Sequence, residues 1–152
     1  MPGIYYEDAV PGLLIHHEKV FTVDEAEHER FCHMTQNAQP LHLDREFARK
    51  SEFGRRLVNS MYTASVAVGI SVEDTTLGTL VANLGYRDMS FPRPVFLRDR
   101  LRIETEVMDR RESGSRPHAG IVTFEHRVFN QSDELVCSIT RTAMMQKSQR
   151  DS

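Results

Sequence analysis

The run from Phe53 to Ser71, FGRRLVNSMYTASVAVGIS, decides the fold. Leu57, Met61, Ala64 and Val68 recur at helical spacing, and Val58, Tyr62 and Val66 cover much of the remaining circumference. Small residues (Ser60, Ala64, Ser65, Ala67 and Gly69) fill the gaps. A helix that is apolar on most sides is a buried one. The rest of the chain must therefore wrap it.

The wrapper lies downstream. LRIETEVM, Leu101 to Met108, alternates strictly, which predicts Leu101, Ile103, Thr105 and Val107 facing inward and Arg102, Glu104 and Glu106 outward. GIVTFEHRVFN and ELVCSITRTAMM supply two more strands joined by a hairpin turn at NQSD, and RRESGSRPH reads as a second hairpin tip. In LVANLGYRDMSF, Leu80, Ala82, Leu84 and Tyr86 keep one phase while Met89 and Phe91 keep the other, so a bulge is expected near Arg87-Asp88. Upstream, GLLIHHEKVF reads as one early strand. Thr22 and Glu25 stand at capping-box spacing and predict a helix from about Val23. Pro40 predicts that NAQPLH is a loop, and Asp44 before REFARK is an N-cap. One curved antiparallel sheet around one central helix is the economical α+β solution, in a single domain over 1–152. A sheet of this size covers the helix incompletely, so pairing with a second copy is expected, as a homodimer or an assembly of dimers.

Composition narrows the partners. A net charge of −3 with evenly interspersed signs argues against a nucleic-acid or membrane-surface binder. Cys32 and Cys137 lack metal or disulfide spacing, and the seven histidines form no HxxxH or HExxH pair, so no metal is expected and scattered surface histidines are the default reading. His126, which alternates with Val122, Phe124 and Val128, reads instead as a core or interface histidine. No apolar run is long enough for a transmembrane helix and MPGIYYEDAVPG is no signal peptide, which makes a reduced, cytoplasmic location the default.

The chemistry is concentrated in TQNAQPLHLDREF, Thr35 to Phe47, just ahead of the central helix. NAQPLHLDREFARKSEFGRRLVNSM resembles the signature of the MaoC-like dehydratases, the (R)-specific enoyl-CoA hydratase family, written G-D-x-N-P-[LIV]-H-x-D and F-G-x-x-I-x-H-G-M. FPRPVFLRDRLRIETEV resembles the family's F-x-x-P-V-x-x-G-D-x-L segment. The resemblance implies a hotdog fold and cofactor-free hydration of a 2-enoyl-CoA thioester. The NxQPLH version, with FGxRLVNS, is similar to the subgroup associated with C5 dicarboxylyl thioesters such as mesaconyl- and itaconyl-CoA.

Hydration needs a base for water, an acid for the α-carbon and donors for the enolate oxygen. Carried onto this chain, the family's histidine falls on His42, its oxyanion amide on Ser60 where the family has glycine, its aspartate on Asn37 and its motif asparagine on Gln39. An asparagine is no base near neutrality. Three outcomes fit: His42 moves both protons while Asn37 orients water, a substrate carboxylate assists, or catalysis is lost and binding kept. Imidazole is the side chain best suited to the first. Asn59, Met61 and Arg55 complete the expected substrate contacts. Arg110, Arg111, Arg116, Arg141 and Lys147 are candidates for the CoA phosphates, with Arg55-Arg56 or Arg87 for a second carboxylate. The competing readings are a hotdog thioesterase, which usually needs a carboxylate on or near the central helix, and a non-catalytic acyl-CoA-binding protein.

Overall fold

The computed structural model describes residues 3–149; the ends of the expected 1–152 domain lie outside the described residues. A 3₁₀ turn (Tyr6–Asp8) precedes two short strands, β1 (Leu14–His16) and β2 (Phe21–Thr22). Helices α1 (Glu25–Met34), α2 (Pro40–Leu43), α3 (Arg45–Arg49) and α4 (Ser60–Thr75) follow. The chain ends in strands β3 (Leu80–Ser90), β4 (Arg100–Glu112), β5 (Ala119–Phe129) and β6 (Leu135–Gln146). The strands form one antiparallel sheet in the order β1-β4-β5-β6-β3, with β2 added to β4. The sheet packs around α4 in the expected α+β hotdog arrangement.

Helix α4 begins at Ser60, later than its apolar pattern, because Leu57 makes a bridge with Phe96 instead of a helical turn. From α4, Tyr62, Ala64 and Ala67 enter a core with Leu101, Ile103, Val128, Val136 and Ile139. The β4 alternation holds: Leu101, Ile103, Thr105 and Val107 are buried, while Arg127 on the opposite face pairs with Glu104, Glu106 and Glu125. The bulge is present too, with Asp88 at φ 49 and a register shift between Arg87 and Ser90.

Three local expectations need correction. The early strand is broken into β1 and β2, which pair with separate stretches of β4. α1 starts at Glu25, since Thr22 is held in β2 and Asp24 is the residue whose carboxylate accepts the Glu27 N–H, at 2.9 Å. NAQPLH is not all loop: Pro40 occupies the first turn of α2, a position where its missing N–H costs nothing. The Asp44 cap is as expected, accepting from the Phe47 N–H at 3.0 Å.

Beneath the C-terminal half of α4 runs a buried polar chain. His17 Nδ1–H donates to Asp74 at 2.7 Å, and His17 Nε2 lies 2.7 Å from the Thr105 hydroxyl. That hydroxyl is 2.8 Å from Nδ1 of His126, which the β4–β5 register sets opposite Thr105. His17, Thr105 and His126 are all buried: His126 is the core histidine its alternation with Val122, Phe124 and Val128 predicts, whereas His17 is not the surface residue expected from the sequence. Burial, with the Arg141 charge nearby, pushes His126 down to about 3, so it is neutral. Thr105→Val keeps the shape but strips a partner from two buried ring nitrogens. Denaturant unfolding should show a loss of about 2 kcal/mol or more; an unchanged midpoint would mean that the chain contributes nothing.

Candidate active site

The approach to α4 is a turn held by its own side chains. Gln36 takes a positive φ of 62° after α1, the Asn37 N–H donates to the Cys32 carbonyl at 2.9 Å, and Asn37 Oδ1 accepts the Gln39 N–H at 3.1 Å. An Asx-type turn of this kind hands the chain to Pro40 and α2. α2 then delivers His42.

One bond defines the histidine. His42 Nδ1 is 2.8 Å from the Leu57 carbonyl, which can only accept, so Nδ1 carries the proton and donates. Nε2 has no hydrogen-bond partner among the described residues and, in the neutral ring, keeps a free lone pair. Leu57 is itself fixed. Its N–H donates to the Leu41 carbonyl at 3.1 Å, it bridges Phe96, and the neighbouring Val58 N–H donates to the Val95 carbonyl at 2.8 Å.

His42 lies on the wall of a cavity of about 390 Å³, with Ser60 and Thr63 of α4, Leu57, Phe91 and Arg93 among the lining residues. Ser60 is the first residue of α4, so its N–H has no intrahelical acceptor, and no other acceptor among the described residues meets it. The next amide is taken: Asn59 Oδ1 accepts the Met61 N–H at 2.9 Å. His42, with its free ring nitrogen, and Ser60, with its unsatisfied N–H, thus line one mainly apolar cleft.

Behind them stands His28, a residue that sequence reasoning placed on the surface. Its ring is wholly buried and its Nε2 accepts the Asn59 N–H at 2.8 Å, which requires the neutral form. It stands edge-on to His42, with ring centroids 6.1 Å apart, and to Tyr62 at 5.3 Å. Burial, reinforced by His42 and Arg56, pushes its pKa down to about 4. The only sequence signal was its inward phase on α1 with Cys32, the other buried residue of that helix.

The expected site residues are therefore only partly brought together. His42 and Ser60 share the cavity. Asn37 and Gln39 are not on its wall; they build the turn that positions His42. Asn59 is a buried helix cap. Met61 lines a different cavity, and Arg55 a neighbouring depression, its guanidinium 3.6 Å over the Phe96 ring. The suggested phosphate cations are elsewhere: Arg110 donates to the Tyr6 and Glu7 carbonyls, Arg116 to Met144, and Lys147 pairs with Glu112. These sit where β6 ends, about 30 Å along the strand from Val136 at the cavity. Arg141 is buried, and Arg56 is held by Glu25 and Glu29. Arg93 is the cavity cation that sequence reasoning missed.

Comparison with known proteins bears on this geometry. The family model described as MaoC like domain matches residues 8–129. Mesaconyl-CoA hydratase of Cereibacter sphaeroides is 32% identical over 145 residues, covering 95% of this chain and 42% of the relative. The chain thus spans well under half the length of that protein. (R)-specific enoyl-CoA hydratase of Aeromonas caviae is 34% identical over 110 residues, covering 72% of this chain and 77% of the relative. A Mycobacterium tuberculosis protein with a double hotdog fold superposes at a TM-score of 0.88 and 24% identity, covering 99% of this chain and 46% of that one.

The buried neutral histidines have a measurable consequence. An unfolded chain takes up protons on His28 and His126 as pH falls through about 6.5, whereas the folded chain resists until about 4 and about 3 respectively. The unfolded state then binds more protons, so stability falls with falling pH. Between pH 6.5 and 5, before most carboxylates titrate, unfolding free energy should drop with a slope approaching about 1.4 kcal/mol per pH unit for each histidine. A flat profile there would show that both rings charge freely in the folded protein.

Proposed function

The chain belongs to the MaoC-like domain family, and from that premise we propose that it reversibly hydrates a short 2-enoyl-CoA to the 3-hydroxyacyl-CoA, with His42 as the proton-transferring side chain. The observation that carries this reading is the 2.8 Å bond from His42 Nδ1–H to the Leu57 carbonyl, which leaves Nε2 as a base on a residue that shares its cavity with Ser60 and its free amide.

The reaction then runs without a second acid. Nε2 takes one proton from water as the oxygen bonds to the β-carbon. Electrons of the double bond move to the thioester oxygen, where the Ser60 N–H and the positive end of α4 stabilise the enolate. Nε2–H then returns the proton to the α-carbon, and the elements of one water have been added. The imidazolium formed in between is stabilised by the Leu57 carbonyl. Asn37 acts by holding the turn, so a carboxylate at its position is not required for this route.

A thioesterase would want a carboxylate aimed at the carbonyl. The acidic residues of α4 are Glu73 and Asp74, about 20 Å along the helix from Ser60, and Asp74 accepts from His17. That favours hydration over hydrolysis.

For the acyl group we favour a C5 dicarboxylyl chain of the mesaconyl or itaconyl kind. Arg93 lines the His42 cavity and is paired 3.0 Å from Glu134, with the Arg93 side chain largely open to solvent and that of Glu134 partly so. An exposed pair of that kind is worth little, so a substrate carboxylate can replace Glu134 on the guanidinium at small cost.

We also propose a homodimer. β3 is hydrogen-bonded on one edge only, yet it exposes Leu84 (49%) and Tyr86 (47%), and Met61 of α4 is 49% exposed nearby. An apolar cavity of about 350 Å³ opens between that strand and Ala64, Val68 and Gly69 of α4. A second copy pairing along β3 would cover both the edge and the unwrapped side of the helix.

His42→Ala should abolish loss of the enoyl-thioester absorbance while leaving the unfolding transition in place. Ser60→Pro is a finer probe. Proline is tolerated at the first position of a helix, and Asn59 at ψ 126° already has the extended backbone that proline demands of its predecessor. Deleting that single N–H should cut kcat by about 100-fold or more; full turnover would remove the amide from the mechanism. Arg93→Ala should raise KM for mesaconyl-CoA by about tenfold, equivalent to one lost charged contact, and leave crotonyl-CoA nearly unaffected. Equal effects on both would reject the dicarboxylate.

A further inference from the structure

A second depression, of about 370 Å³, lies beside the His42 cavity, and five arginines line it: Arg45, Arg49, Arg55, Arg56 and Arg98. Glu25 is the only acidic residue of its wall. In a chain with a net charge of −3, so many cations in one concavity is a departure that calls for a reason.

Only part of this charge is neutralised from within. Arg56 is buried and used up by Glu25 and Glu29, and Arg49 pairs with Glu46. Arg45 reaches Glu25 only at 3.9 Å. Arg55 and Arg98 have no carboxylate within 4 Å among the described residues, and the one acid on this wall, Glu25, is already engaged by Arg56. The guanidinium of Arg55 is oriented by the Phe96 ring, a contact that fixes its plane while leaving its N–H edges free. Arg98 sits at φ 72, a left-handed conformation that favours glycine, so the backbone is strained at the position that supplies a second unpaired cation.

The two concavities share walls. Phe53, Leu57 and Val58 face the His42 cavity, while the intervening Gly54, Arg55 and Arg56 face the arginines. Likewise Pro94 and Val95 line the first and Leu97 and Arg98 the second. A ligand with its reactive end against His42 and an anionic end a short arm away would occupy both.

We propose that this depression binds phosphate groups, and that in the reaction above it takes the nucleotide phosphates of the CoA carrier. The identity of the carrier rests on the hydratase reading; the preference for phosphate does not. Guanidinium edges match phosphate oxygens two at a time. It is a concavity rather than a flat docking face, and its volume of about 370 Å³ is in the range of small-ligand sites, which suits a nucleotide.

The experiment pairs kinetics with binding. Kinetics compare crotonyl-CoA with crotonyl-pantetheine and with a crotonyl-carrier-protein thioester; calorimetry follows adenosine 3′,5′-bisphosphate, which needs no turnover. Arg55→Met combined with Arg98→Asn removes the two unpaired cations, and asparagine accepts the positive φ. Arg45→Gln with Arg55→Met is the second variant, should the first fail to fold. The expected result is that kcat/KM for crotonyl-CoA falls about tenfold or more relative to crotonyl-pantetheine, with bisphosphate binding weakened in parallel. Equal loss on both small thioesters, or bisphosphate binding that is absent in the parent chain or untouched in the variants, overturns the proposal. Loss confined to the carrier-protein thioester also overturns it, in favour of a protein-docking face. If no thioester turns over but the bisphosphate binds through these arginines, the hydratase reading fails and the phosphate site stands.

Discussion

A single backbone carbonyl, that of Leu57, organises this site. By accepting from His42 Nδ1 it selects one tautomer and one ring orientation, and it leaves the other nitrogen as a base. The carbonyl can do so because Leu57 is not part of α4. Its bridge to Phe96 and the Val58–Val95 bond hold residues 57 and 58 as an extended segment, and its N–H to Leu41 ties α2 back to the same place. The delayed start of the helix therefore fixes the orientation of His42. Were α4 to begin at Leu57, as hydrophobic spacing alone allows, the carbonyl would turn into the helix and the histidine would lose its anchor.

His28 supports this arrangement from beneath. A histidine lone pair is an unusual acceptor for a helix-start amide, and it works here because burial keeps the ring uncharged. Asn59 is held from both sides: its N–H goes to His28 and its side-chain oxygen takes the Met61 amide. With the cap occupied in this way, the Ser60 amide is the one left over. His28 thus sets which N–H of α4 remains open, and a neutral ring 6.1 Å from His42 adds no competing charge when His42 holds a proton.

Periodicity made the architecture legible and left the site half visible. The alternation of Leu101 to Val107 marked the inner face of β4, and the phase slip after Tyr86 marked the bulge. The spacing from Asn37 to Met61 brought out His42 and Ser60 because both are fixed by local chain direction. What failed did so for a common reason: side chains that act on their own backbone look the same in sequence as those that face a ligand. Asn37 closes a turn and Asn59 caps a helix, although both were expected to touch substrate. His17 and His28 read as surface residues because Asp74, Thr105 and Asn59, which hold them, lie 57, 88 and 31 residues away in the chain, where no local pattern reports them. Arg98 occupies the position where the FxxPVxxGD pattern carries glycine; a positive φ was foreseeable there, but the role of the replacing side chain was not.

The charge pattern of α4 runs against helix stability, and this opposition is informative. Its first turn carries no acidic residue, whereas Glu73 and Asp74 sit in the last turn without a basic neighbour on the helix. Both choices are unfavourable to the macrodipole. At the C-terminal end the defect is repaired by tertiary structure, since His17 brings a donor to Asp74 through β1 and Thr105. At the N-terminal end Asn59 caps the Met61 amide, and no carboxylate in the first turn offsets the dipole. The uncompensated positive end, with the free Ser60 amide, opens on the cavity that His42 lines. An acidic residue in that first turn would stabilise the resting helix by a few tenths of a kcal/mol to about 1 kcal/mol, but on the proposed route it would place a carboxylate beside the charge that develops on the enolate oxygen. The fold forgoes that stability at one end and recovers it through a buried hydrogen-bonded chain at the other.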